Sequence, residues 1–305
     1  MLFGAQLVNY LITWEELLST IKLVEAGRWH SLYYSDHFLT PAPGAGLEDK
    51  PALEGWSLIT ATAAITKRLR LGILVTGNTY RNPALLAKMA ATVDQISNGR
   101  LNLGIGAGWY KGEHEAFGWE FPSVRERCDR LEEAVELIKM LFTAEGPVDY
   151  NGRYYKLNKA YFSPTCTQKP HIPIMVGGNG EKRTLRTLAK FGDICNLDFN
   201  YPASPELFKH KMEVIERHCE DIGRDPTEIK KTIHIPLRLE TDEKRAAQLR
   251  KARGEWILYG TASFIIDRIQ QYEDAGVEEI MFGGVPSKPG LYERINEEIL
   301  SAYNQ

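Results

Sequence analysis

Along its whole length this 305-residue chain repeats one alternation: a short apolar run, then a stretch of helical periodicity. The apolar runs fall at residues 2–8, 31–35, 69–76, 101–105, 172–176, 194–197, 232–239 and 279–282. Runs so short and continuous read as strands buried on both faces, the condition that crossover helices impose on a parallel sheet. Eight strand–helix units are the number that closes a (β/α)8 TIM barrel, an α/β fold; an open doubly wound sheet shares the local pattern and is the alternative. Barrels of this length are commonly one domain, and no Pro/Gly/Ser linker or shift in composition divides 1–305.

Local signals agree with the alternation. Thr13 and Glu16 have capping-box spacing ahead of Leu17, Ile21 and Val24, and Ser123 with Glu126 repeats it. Asn82-Pro83 and Ser204-Pro205 start helices, and Asn98-Gly99 ends one. Helices are also expected at 56–66, 181–190, 263–275 and 291–302. Two stretches exceed a minimal barrel. Residues 146–170 carry Asn151-Gly152 between tyrosines, a hairpin signal, and 241–260 are polar and helical, then loop. Both are expected in βα loops, after strands four and seven, which makes them lid candidates on the active face.

Composition excludes several classes. With 43% hydrophobic residues the chain can bury a large core. A net charge of -3 leaves no basic footprint for nucleic acid. Cys128, Cys166, Cys195 and Cys219 form no CxxC pair, as suits reduced thiols in a cytoplasmic protein. No signal peptide or membrane span is expected.

Barrel chemistry sits where strands end. Those positions here are rich in glycine and poor in carboxylates, so no metal site is expected: only Asp36, His37 and Asp198 are ligand types. Gly177-Gly178-Asn179-Gly180 follows an apolar strand and precedes a helix, where successive amides cradle a phosphate. Gly283-Gly284 is the rival phosphate site. Gly104-Ile105-Gly106-Ala107-Gly108 lacks the spacing and later acid of a dinucleotide fingerprint. Asp36-His37 closes strand two, where a histidine can act as general base or acid; His30, His114, His171, His210, His218 and His234 read as structural.

These residues together resemble the bacterial-luciferase-like superfamily of flavin- and deazaflavin (coenzyme F420)-dependent oxidoreductases. The match runs over residues 69–109, including Asn82-Pro83, Gly99-Arg100 and Gly104 to Trp109, with Ser35-Asp36-His37-Phe38 and the loop 176–180. The resemblance implies cofactor at the barrel mouth, beside Gly106, Ala107 and Gly108. It implies a non-proline cis peptide within Ile73, Leu74, Val75 and Thr76 that braces the ring, and phosphate at Gly177, Gly178, Asn179 and Gly180. Asp36 and His37 match positions that contact the reactive ring.

One departure bears on substrate. The sugar-phosphate dehydrogenase branch has a carboxylate directly after its glycine loop, where this chain has Trp109; its nearest acid is Glu113. The resemblance therefore points to coenzyme F420 and hydride transfer with a small organic substrate. His37 would move the substrate proton, Asp36 would orient the ring or His37, and Trp109 with Glu113 would line the substrate pocket. An FMN-dependent monooxygenase is the alternative, and a non-catalytic flavin-binding protein a third reading. A homodimer is expected, since barrels of this superfamily usually pair.

Overall fold

A computed structural model describes residues 1–40, 51–199 and 202–303. Chain order begins β1 (Leu2–Gln6), α1 (Trp14–Ala26), β2 (Ser31–Tyr34), α2 (Gly55–Ile65), β3 (Arg70–Ile73), β4 (Thr76–Gly77), α3 (Pro83–Ser97) and β5 (Leu101–Gly106). Next come α4 (Lys111–Phe117), α5 (Val124–Thr143), β6 (Val148–Asn151), β7 (Lys156–Ala160), β8 (Ile174–Gly177), α6 (Thr184–Phe191), β9 (Ile194–Asp198) and α7 (Pro205–Glu220). The remainder is β10 (Lys230–Leu239), α8 (Glu243–Arg253), β11 (Leu258–Gly260), α9 (Ala262–Asp274), β12 (Glu279–Gly283) and α10 (Pro289–Glu298).

Strands β1, β2, β3 with β4, β5, β8, β9, β10 and β12 pair in parallel, and β12 returns to β1 through Leu2↔Glu279 and Ala5↔Phe282. The closed eight-stranded barrel, rather than the open sheet, is the fold. Helices pack outside it, and the outward-facing strand residues join their apolar faces in one core that includes Leu17, Leu32, Leu71, Leu103, Ile138 and Ile233. The barrel interior is a separate, smaller cluster of Tyr33, Leu74, Met175, Ile194 and Met281 with Val75 against it. Below it lies a polar layer: Glu279 binds Ser31 and, at 2.5 Å, Lys230, while Asn102 ties Arg70 to the Tyr33 hydroxyl. A buried charge persists only when paired and hydrogen-bonded, as Glu279 is.

Four expectations need correction. Strand three is not continuous over 69–76: it breaks at a cis Leu74–Val75 peptide, inside the segment where the resemblance puts one. Val75 turns inward there, because Gly104, Gly106 and Gly177 present no Cβ; one on Gly106 or Gly177 would come within 2.8 Å of a Val75 methyl. Thr13 and Glu16 form a complete capping box, whereas Ser123 accepts only the Glu126 amide. The Glu126 carboxylate binds Arg130 one turn on, at 2.7 Å, so the second box is half made. The β6–β7 hairpin follows α5 and so belongs to a helix-to-strand connection, not a βα loop; its turn still climbs along α5, where Glu133 accepts the amides of Arg153, Tyr154 and Tyr155. Helix α6 begins at Thr184, three residues after the expected 181. The segment 241–260 does lie in the βα loop after the seventh barrel strand, as α8 and β11.

Candidate active site

His37 follows β2 at the barrel mouth, and α4 brings Glu113 beneath it. His37 Nδ1 lies 3.0 Å from Glu113 Oε2. The Glu113 side chain is fully buried, and its other donors are the amides of Phe38 (2.7 Å) and Leu39 (2.9 Å) on Oε1 and the Tyr80 hydroxyl (2.5 Å) on Oε2. A carboxylate only accepts, so Nδ1 carries the hydrogen of the His37–Glu113 bond. Nε2, the other end of the ring, has no hydrogen-bond partner among the described residues. Burial opposes the Glu113 charge, but the bonds from His37, Tyr80 and the Leu39 amide outweigh it and hold the carboxyl below the usual range. Burial and the Glu113 carboxylate push the Tyr80 hydroxyl well above its ordinary value.

Aromatic rings surround this pair. Trp109 and Tyr110 meet the His37 ring edge-on at 5.3 and 5.8 Å and stack on each other at 5.2 Å. Trp109 is 62% exposed, so it stands at the rim over His37. The loop that carries it is pinned by buried His114, which bonds Tyr110 O and Thr79 Oγ1, both at 2.8 Å. Gly108 is needed in that loop: its φ is +77°, and a Cβ would sit 2.6 Å from Thr79 Oγ1.

Asp36 faces elsewhere. Its carboxylate takes a two-point contact from Arg81 (2.7 and 3.0 Å) and the Gly77 amide at 3.1 Å. Arg81 also reaches Glu54, at 2.6 Å. Burial pushes the Asp36 carboxyl up and the Arg81 contact opposes it. Burial would lower Arg81, but Asp36 and Glu54 outweigh it and favour its charge. No bond joins Asp36 to His37: the carboxylate that orients the histidine is Glu113, which is too buried to line a pocket as expected. Asp36 ties the β2 end to the segment after β4.

The glycine loop after β8 divides its work. Gly177 makes room for Val75, and Gly178, at φ +127°, donates its amide to Asn196 O. The Asn179 side chain clasps the Asp198 backbone from both sides, at 2.7 and 3.0 Å. The amides of Asn179 and Gly180 meet no acceptor among the described residues, and α6 has no side-chain cap. At the rival loop, the space above Gly283 is filled by His234, whose Nε2 would lie 1.9 Å from a Cβ there.

Sequence reasoning passed over Tyr80, Arg81 and Gln6, and placed Asn78 at a strand end without giving it a role. Tyr80 and Arg81 lie inside the matched segment, yet nothing in their spacing points to Glu113 or Asp36. Asn78 is buried; its amide nitrogen donates to the Tyr155 hydroxyl at 3.2 Å, and its Oδ1 has no partner among the described residues. His234, read as structural, shares with Thr232 the inward face of β10, where both alternate with the apolar Ile233 and Ile235, and that alternation was the available signal.

A family model described as luciferase-like monooxygenase matches residues 3–279. An F420-dependent glucose-6-phosphate dehydrogenase of Amycolatopsis mediterranei is 27% identical over 292 residues, which cover 83% of this chain and 84% of that protein. The F420-dependent glucose-6-phosphate dehydrogenase 1 of Rhodococcus jostii is 33% identical over 238 residues, covering 76% and 68%. Among solved structures, an F420-dependent secondary alcohol dehydrogenase holding an F420-acetone adduct superposes with a TM-score of 0.81 at 21% identity, over 99% of both chains. The monooxygenase RslO1 of Streptomyces bottropensis gives 0.80 at 20% identity, over 100% of both.

Proposed function

This chain belongs to the luciferase-like monooxygenase family, and within it we propose a coenzyme F420-dependent oxidoreductase that moves hydride between the deazaflavin and a small organic substrate. The observation that carries the reading is the His37–Glu113 pair, with Nε2 turned free under the aromatic rim. Bound at the mouth, a deazaflavin would accept or supply the hydride; it has carbon where a flavin has its oxygen-reactive nitrogen, so hydride transfer is the chemistry it allows. The residues present fit such a group. The free amides of Asn179 and Gly180 suit a phosphate, and the unpaired Asn78 Oδ1 is a buried acceptor awaiting a donor. The sequence relatives with F420 in their names favour the deazaflavin over FMN.

In this scheme His37 Nε2 takes the proton of a substrate alcohol, or returns it to a carbonyl, while Glu113 keeps the ring in the required tautomer. Glucose 6-phosphate suits the site poorly. Trp109 and Tyr110 wall it with aromatic surface, and Arg81, a cation behind the β2 end, is engaged by Asp36 and Glu54. An uncharged alcohol or carbonyl compound fits better.

The test is a titration of the purified protein with F420 and with FMN, read by fluorescence quenching. Tighter binding of F420 is expected. Binding of FMN without F420 would overturn the cofactor assignment and leave a monooxygenase.

A further inference from the structure

A chain of hydrogen bonds crosses the barrel interior away from His37. Asp198 Oδ1, at the end of β9, lies 3.1 Å from His234 Nδ1 on β10. His234 Nε2 lies 2.8 Å from Gln6 Oε1 on β1. Gln6 Nε2 then donates to the carbonyl oxygen of Leu74 at 3.3 Å. That donation settles the amide's orientation: the nitrogen must face the carbonyl, so the oxygen faces His234. The Leu74 amide is held independently by Tyr34 O at 2.8 Å.

We propose that Gln6 and His234 are positioning residues for the cofactor, acting through the Leu74 carbonyl. The proposal rests on the reading that a deazaflavin binds at this mouth. The Leu74 amide bonds across to β2, but among the described residues no backbone amide donates to the Leu74 carbonyl, because β3 stops at Ile73 and β4 resumes at Thr76. Gln6 Nε2 is the one donor that carbonyl has among the described residues, and it completes the set of contacts that fixes the surface the bulge presents to a planar ring. Gln6 holds that carbonyl, and His234 holds Gln6. The ring of His234 is in turn kept in place by Asp198 on one side and by the bare Cα of Gly283 on the other. A neutral packing role would need none of these donors in register.

The experiment compares Gln6→Met, His234→Ala, the double variant and His234→Gln with the wild type. F420 affinity is measured by fluorescence quenching, the absorption band of the bound cofactor is recorded, and melting is followed without cofactor. Each single change is expected to weaken binding about tenfold, the size of one hydrogen bond, and to shift the bound band. The double variant should be no weaker than either single, because both act through one carbonyl. His234→Gln, whose amide can still donate to Gln6, should recover most of the affinity and the band. Losses that add in the double variant would overturn the proposal. So would a lowered melting temperature with wild-type affinity and spectrum, which marks a merely structural role. Failure of the wild type to bind F420 overturns the functional reading itself, an outcome distinct from wild-type binding unmoved by these changes.

Discussion

Replacing Glu113 by glutamine perturbs one bond whose consequences can be worked through. The amides of Phe38 and Leu39 both point at Oε1, so the new side chain must keep its oxygen there. Its NH2 group then faces Tyr80, which can turn its hydroxyl to accept, and His37 Nδ1 at 3.0 Å. Nδ1 can meet an N–H only by giving up its own hydrogen, which moves to Nε2. The ring now presents a donor where the proposed base needs a lone pair. Restoring the working tautomer sets N–H against N–H, and the swing between a bond made and a donor left unpaired is about 2–4 kcal/mol. That corresponds to about 30- to 1,000-fold in rate. His37→Ala removes the proton carrier outright and should cost about 10²–10⁴-fold. The assay is single-turnover hydride transfer in cofactor-saturated protein, followed by deazaflavin absorbance, with the cofactor dissociation constant measured alongside. Because Glu113 acts through His37, the double variant should be no slower than His37→Ala alone. Hydride transfer at the wild-type rate in Glu113→Gln, or an equal further loss in the His37→Ala background, would refute the dyad.

Other consequences are open to measurement. Glu113 sits below its ordinary carboxylate range when folded, so its contribution is complete above the unfolded value and is lost as pH falls through the folded one. Melting temperature against pH should therefore drop less steeply on the acid side in Glu113→Gln than in wild type; equal slopes would contradict this. Asp36→Asn strips the buried Arg81 of its two-point partner, which should cost about 3 kcal/mol in denaturant melts while the folded fraction keeps His37-dependent transfer; full stability with lost transfer would return Asp36 to the chemistry. Gly104→Ala would drive a Cβ to 2.0 Å from Ile73 O, a backbone atom, and should destabilise by at least about 1–3 kcal/mol. Gly178→Val, at φ +127°, should distort the glycine loop and weaken phosphate-bearing cofactor by on the order of 1–3 kcal/mol, with little effect on a fragment lacking phosphate; equal losses for both would move the phosphate elsewhere.

The order of strands and helices was legible in the sequence, because strand and helix periodicities, caps and proline starts act over a few residues and repeat; closure of the sheet into a barrel was settled only by the pairing of β12 with β1. Thr13 capping α1, Asn82 and Pro83 starting α3, and the fully buried runs of β2 and β5 could all be read locally. The strand ends could also be read, and with them the set from which the site is drawn. What the sequence left open is which side chains in that set face one another. Asp36 adjoins His37 in the chain, yet successive residues at a strand end point to opposite sides, so one turns to Arg81 and the other to Glu113, 76 positions away. The glycines at the ends of β5 and β8 looked like space for a ligand, but Val75, a neighbour that only the tertiary fold supplies, fills the space at Gly106 and Gly177. The hairpin signal at Asn151-Gly152 was sound locally, while its placement depended on where α5 ends. Local propensity is written residue by residue; the partners of a buried charge are decided by which strands close the barrel, and that is a property of the whole chain.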